Sequence, residues 1–226
     1  MPVKLRRRIF KILILVSVAY ATVMMWHWQI GFTFFTQLSN LFTAAVILAE
    51  LIWAGKLLRY LKFAALVSIT ATGLVFLTVL APMEPRGLLA AYAQDHCASL
   101  CLHLLTPALT LADFFVNDRT YPWRLRHVTF SLAPPAAWFL FILILGACGV
   151  RWGAEGAMTA PYPFLNYAAP AGWFGFVPGS YSFETFGIGV FYAILFMLLA
   201  LFLLGLGLLA LSRMSLHKSE RSVSLE

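Results

Sequence analysis

Apolar residues in this chain gather in six blocks, at about 9–28, 34–54, 62–81, 97–116, 129–149 and 184–211, and the connectors between them carry the charges, prolines and glycines. Each block is close to the ~20 residues a helix needs to cross a ~30 Å hydrocarbon layer. The pattern predicts an all-α polytopic membrane protein, a single domain of six transmembrane helices over residues 1–226. An outer loop spans about 150–183 and a polar cytoplasmic tail about 212–226. Composition agrees: 62% of residues are apolar and 11% charged, and the mean hydropathy is +0.85, against about 45–50% and about 25% in soluble domains. A water-soluble globule is excluded.

The formal charge of +7 suggests nucleic acid until the basic residues are placed. With the N-terminus in the cytoplasm, the inner segments hold Lys4, Arg6, Arg7, Arg8 and Lys11, then Lys56, Arg59 and Lys62, then Arg119, Arg124 and Arg126, and finally Arg213, Lys218 and Arg221. Only Arg86 and Arg151 fall outside. That bias follows the positive-inside rule. It predicts both termini in the cytoplasm, a multi-pass protein of the inner (plasma) membrane, and no nucleic-acid partner. A rival reading takes Lys4 to Arg8 and Ala19-Tyr20-Ala21 as a cleavable signal peptide, which would leave five spans. The block stays apolar through Val23, Met24, Met25 and Trp26, which favours retention as a span ending in an aromatic belt.

Polar groups at membrane depth are costly and tend to face the bundle interior or a cavity. Thr36, Ser39, Asn40 and Thr43 share one face of the second span, and Ser99, His103, Thr106, Thr110 and Asp113 form one stripe on the fourth. Both spans run from outside to inside, so Thr36, Asn40 and His103 all belong to the outer half. Helix-to-helix hydrogen bonding alone accounts for the hydroxyls and amides, whereas a titratable His at depth points to a site. Glu50 and Asp113 lie toward the cytoplasmic end, where ion pairs with Lys56, Arg59 and Arg119 compete with a proton path. Pro107 and Pro134-Pro135 are expected to kink the fourth and fifth spans. The Trp-, Tyr- and Pro-rich outer loop reads as an interfacial belt or a lid.

Cys97 and Cys148 fall near outer span ends, where a disulfide forms if those ends are close, leaving Cys101 free. His96, Cys97, Cys101 and His103 look like a metal cluster, but the two cysteines and the two histidines occupy different helix faces. No metal is expected. No nucleotide-binding glycine loop, haem motif or redox pair appears, so no cofactor is expected either.

Three short motifs carry a resemblance. They are Phe35-Thr36-Gln37-Leu38-Ser39-Asn40, His103-Leu104-Leu105-Thr106-Pro107 and Pro161-Tyr162-Pro163-Phe164-Leu165-Asn166. With the six spans, they make the chain similar to a bacterial-type member of the six-span androgen-induced protein family, which includes the androgen-dependent regulator of tissue factor pathway inhibitor. The resemblance implies an intramembrane threonine-type hydrolase of lipid esters, such as fatty acid esters of hydroxy fatty acids. Its catalytic pair would be Thr36 and His103, and its partners membrane lipids and the ester substrate. The loop motif ends in Asn166 where an acidic residue is expected. In such chemistry His103 accepts the Thr36 proton, the oxygen attacks the ester carbonyl, and water releases the acyl group. Gln37, Ser39, Asn40 and Thr106 form the supporting polar cluster, with Asn40 and Gln37 as candidate oxyanion donors and Ser39 as an alternative nucleophile. Two other readings stay open: a small-molecule or proton-coupled transporter using His103, Glu50 and Asp113, and a non-catalytic membrane scaffold.

Overall fold

The computed structural model describes residues 3–118, 121–179, 182 and 185–223, with side chains described from Arg8 to Met214, Met83 excepted. It is all-helical, with 74% helix and no strand among the described residues. The helices are α1 (Val3–Met24), α2 (Phe35–Ile52), α3 (Lys56–Val75), α4 (Leu88–Leu100), α5 (Thr106–Asn117), α6 (Leu125–Phe130), α7 (Ala133–Ala147) and α8 (Val190–Val223). π-turns extend α3 over Phe76–Leu80 and join α4 to α5 over Cys101–Leu105.

Five segments are long and apolar enough to cross a membrane: Phe35–Ile52, Lys56–Leu80, Leu88–Asn117, Leu125–Ala147 and Val190–Met214. The 22-residue α1 is the sixth candidate. The third segment starts at Lys56 rather than 62, through a stretch that mixes Lys and Arg with Leu and Tyr, and the fourth at Leu88 rather than 97, where the apolar stretch 88–93 is set off from the rest by non-helical backbone at Gln94, Asp95, His96 and Cys97. The last starts at Val190 rather than 184, because Phe176 and Ile188 pair as an isolated bridge just before it. Arg119 lies outside the described residues, as do the side chains of Lys4, Arg6, Arg7, Lys218 and Arg221.

At Pro107 the expected distortion takes the form of a π-turn: the helical run passes through Cys101–Leu105 directly into α5, with Pro107 just after it. Pro134 and Pro135 fall instead in the first turn of α7, after a turn at Ser131-Leu132. The first helical turn has no intrahelical acceptor for its N–H groups, so a residue lacking one costs nothing there. A real interruption occurs earlier, where Asp95, His96 and Cys97 have φ of 50°, 55° and 66° within α4. All three are left-handed, a region L-residues seldom occupy.

The chain divides into two compact units. The first comprises Met1–Ser131 and Leu203–Glu226. Within it α2 lies along α3, α1 packs on α2 and α5, and α3 packs on α5 and α6. Its aromatic centre is Phe63, Phe114 and Trp123, with ring centroids 5.3–6.1 Å apart. Gly205 of α8 meets α6 closely, since a Cβ there would lie 2.9 Å from Val128 Cγ1. At the surface turn before α4, the Arg86 guanidinium holds the Glu84 carboxyl below its usual value.

The second unit is Leu132–Phe202, containing α7, the long loop and the start of α8. The loop is pinned rather than slack. Asn166 Oδ1 accepts from the Thr159 N–H (3.2 Å), the Thr159 hydroxyl (2.9 Å) and the Ala168 N–H (3.3 Å). Trp152 and Met158 exchange both backbone hydrogen bonds. Tyr167 stacks on Trp173 at 5.5 Å. The loop closes on α7 at Gly146, where a Cβ would sit 2.1 Å from the Thr159 carbonyl oxygen. Gly146→Ala is therefore expected to cost about 1–3 kcal/mol by overpacking, read as a lower melting temperature in detergent; an unchanged melting temperature would contradict this contact.

Candidate functional site

The polar stripes of α2 and the α4–α5 segment both belong to the first unit. The chain enters α2 from a 3₁₀ turn over Gln29–Thr33 and an extended Phe34. This puts Thr36 in the first helical turn, where backbone N–H groups lack intrahelical acceptors and the helix dipole is positive. The Thr36 side chain is partly buried. Asn40, one turn on and fully buried, ties this turn to the neighbouring segment. Its Nδ2 donates to the Thr36 carbonyl at 2.8 Å and to the Leu102 carbonyl at 3.2 Å.

Leu102 lies in the π-turn that carries His103. Such turns are rare and recur at functional sites. The imidazole stacks on Phe76 at 3.8 Å between centroids and 12° between planes. Phe76 opens the second π-turn. Gly73, one turn earlier, allows this approach, because a Cβ there would lie 3.1 Å from the His103 carbonyl oxygen and 3.0 Å from Pro107 Cβ. His103 Nδ1 is buried without a hydrogen-bond partner among the described residues. A buried ring nitrogen left unpaired costs free energy, about 1–3 kcal/mol for a neutral group.

The expected residues separate on inspection of their bonds. Thr36, Asn40 and the His103 turn come together through the Asn40 amide, although the Thr36 hydroxyl makes no hydrogen bond to His103 among the described residues. Ser39 is engaged elsewhere: its hydroxyl donates to the Thr36 carbonyl (3.0 Å) and pairs with Thr72 Oγ1 (2.9 Å). Gln37 directs its amide nitrogen to Met25 Sδ at 2.7 Å. Thr106 pairs with Ser17 Oγ at 2.9 Å, joining α5 to α1. These three are packing contacts. With both Asn40 N–H bonds committed to carbonyls, the donors nearest Thr36 along the chain are the main-chain N–H groups of the first turn of α2.

A second polar centre occupies the opposite end of α2. The expectation of ion pairs for Glu50 and Asp113 holds in kind, with different partners. Lys62 is 4% exposed, and its Nζ meets Glu50 (2.8 Å), Asp113 (2.9 Å) and Asp118 (2.5 Å). Lys11 pairs with the same Glu50 oxygen, and Arg59 Nη1 with Asp118 at 2.8 Å. Asn117 Nδ2 donates to Asp113 at 2.7 Å. Asp113 is thus fully committed here and does not orient His103. Lys11 and Lys62 sit at the cytoplasmic edges of their apolar blocks, where the sequence counts them only toward the positive-inside bias, and Asp118 lies just past the fourth block.

No group of three metal-binding side chains occurs among the described residues. The left-handed turn at 95–97 breaks the helix that would relate His96 and Cys97 to Cys101 and His103. Cys97, Cys101 and Cys148 are all free thiols. No family model matches the chain, and no curated protein and no solved structure is similar to it.

Proposed function

We propose that the protein is an intramembrane hydrolase of lipid esters, with Thr36 as nucleophile and His103 as general base, in the manner of the androgen-induced protein family that its motifs resemble. The observation that carries this reading is the Asn40 bridge, which holds the Thr36 turn against a π-turn whose imidazole has an unpaired buried nitrogen. A threonine hydroxyl is a weak nucleophile and needs such a base. The neutral imidazole takes its proton as the oxygen attacks the ester carbonyl. It then returns the proton to the departing alkoxide, leaving a Thr36 acyl ester that water hydrolyses by the same route. Negative charge on the carbonyl oxygen falls to the main-chain N–H groups at the positive end of α2. Phe76 stacking fixes the imidazole plane, the task a carboxylate performs in a Ser-His-Asp site. The lipid substrate and a six-span chain with both termini in the cytoplasm, in the inner membrane, belong to the same reading.

The transporter reading is weaker, because Glu50 and Asp113 are each bound to Lys62 rather than left to exchange protons. Release of fatty acid from a fatty acid ester of a hydroxy fatty acid in detergent tests the proposal. Asn40→Leu is expected to lower the rate on the order of 100-fold, the effect of a ~1 Å misplacement of reacting groups. Wild-type protein without hydrolysis, or a folded Asn40→Leu protein at the wild-type rate, would refute it.

A further inference from the structure

At the end of the first unit where α1 begins and α2 ends lies a cavity of about 320 Å³. Four cations line it, Arg8, Lys11, Arg59 and Lys62, with Glu50 and Asp118, and Asp113 behind Lys62 supplies a third carboxylate. The one net positive charge falls to Arg8. Lys62 is held by ion pairs to Glu50, Asp113 and Asp118. Among the described residues Lys11 pairs with Glu50 alone, and Arg59 makes its ion pairs through Nη1, which leaves donors on both. Arg8 has no ion pair among the described residues and is exposed. The neutral part of the cluster therefore forms a fixed floor, above which unspent donors of three basic side chains remain.

The other wall is apolar, made by Leu51, Trp53 and Leu58. Trp53 is 64% exposed and is flanked by exposed Ile52 and Leu57. Tryptophan favours the headgroup layer, so the cavity opens where polar heads meet acyl chains. A volume near the lower end of the usual ~300–1,000 Å³ range for ligand sites suits a headgroup rather than a whole lipid. The geometry points to a binding site for the phosphodiester headgroup of an anionic phospholipid, gripped by Arg8, Lys11 and Arg59, with its acyl chains lying along Leu51 and Trp53. This site is separate from Thr36 and His103 and does not depend on hydrolase activity. Basic pockets between transmembrane helices are a known way of holding such headgroups.

Native mass spectrometry of the full chain in detergent tests it, with phosphatidylglycerol and phosphatidylcholine of identical acyl chains added in turn. Wild-type protein is expected to retain phosphatidylglycerol in preference. Arg8→Gln, an exposed substitution, should weaken that retention about fivefold, the worth of one basic residue near an anionic headgroup. Arg213→Gln, exposed on α8, should leave it unchanged. Equal retention of the two lipids, or an equal loss in both variants, would overturn the assignment. Displacement of the lipid by soluble glycerol 3-phosphate at matched concentration would overturn the lipid as the source of the phosphate.

Discussion

Replacing Lys62 by Met is expected to lower the free energy of unfolding by about 3–5 kcal/mol, the usual cost of removing one partner from a buried ion pair. The effect is large because Lys62 is the point where α2, α3 and the end of α5 meet through charge. The three carboxylates do not suffer equally. Glu50 retains Lys11, and Asp118 retains Arg59. Asp113, with no exposure to solvent, keeps only the Asn117 amide. The uncompensated charge therefore sits on Asp113, and the double change Lys62→Met with Asp113→Asn should regain most of the loss. Melting temperatures in a single detergent measure both. A Lys62→Met protein as stable as wild type would show that the cluster does not hold the unit together.

The second large effect is on rate. His103→Gln and Thr36→Ala are each expected to lower ester hydrolysis by about 10²–10⁴-fold, the range for loss of a general base, while leaving the fold intact. Neither residue is a main packing element: Thr36 is partly buried with no hydrogen bond to its hydroxyl among the described residues, and His103 is held by ring stacking. In the proposed mechanism the two act on one proton, so the double variant should lose little more than either alone. Thr36→Ser preserves the hydroxyl and should keep measurable activity. Ser39→Ala should have a modest effect, since its hydroxyl is bound to the Thr36 carbonyl and to Thr72. Additive losses in the double variant, or full activity in Thr36→Ala, would remove the pair from the mechanism.

Much of the architecture is legible in the sequence because hydrocarbon depth leaves a direct trace, a block of apolar residues per helix. Helix ends are less legible, since α3 begins at Lys56, before its apolar block, and Lys62, the first residue of that block, reads as a boundary charge rather than as the centre of a buried cluster. The polar stripe on the fourth span survives as a buried row at Ser99, Thr106, Thr110 and Asp113, although a π-turn and a left-handed turn interrupt the regular helix. The π-turn has a local signature in Pro107 just after it, which removes one N–H from the helical ladder, whereas the left-handed turn at Asp95, His96 and Cys97 falls on residues with no glycine among them. Side-chain spacing put Gln37 and Ser39 on a par with Asn40. Only the partner helices distinguish them, by offering Met25 to one, Thr72 to another and the Leu102 carbonyl to the third.

The account stands or falls on whether the Thr36 hydroxyl is an activated nucleophile. Intact-protein mass spectrometry of the detergent-purified chain, before and after a lipid-like fluorophosphonate, reads this directly. A single covalent adduct is predicted on the wild type at pH about 7–9, and none on folded Thr36→Ala or His103→Ala. The absence of an adduct on the wild type, or its persistence on Thr36→Ala, would contradict the account.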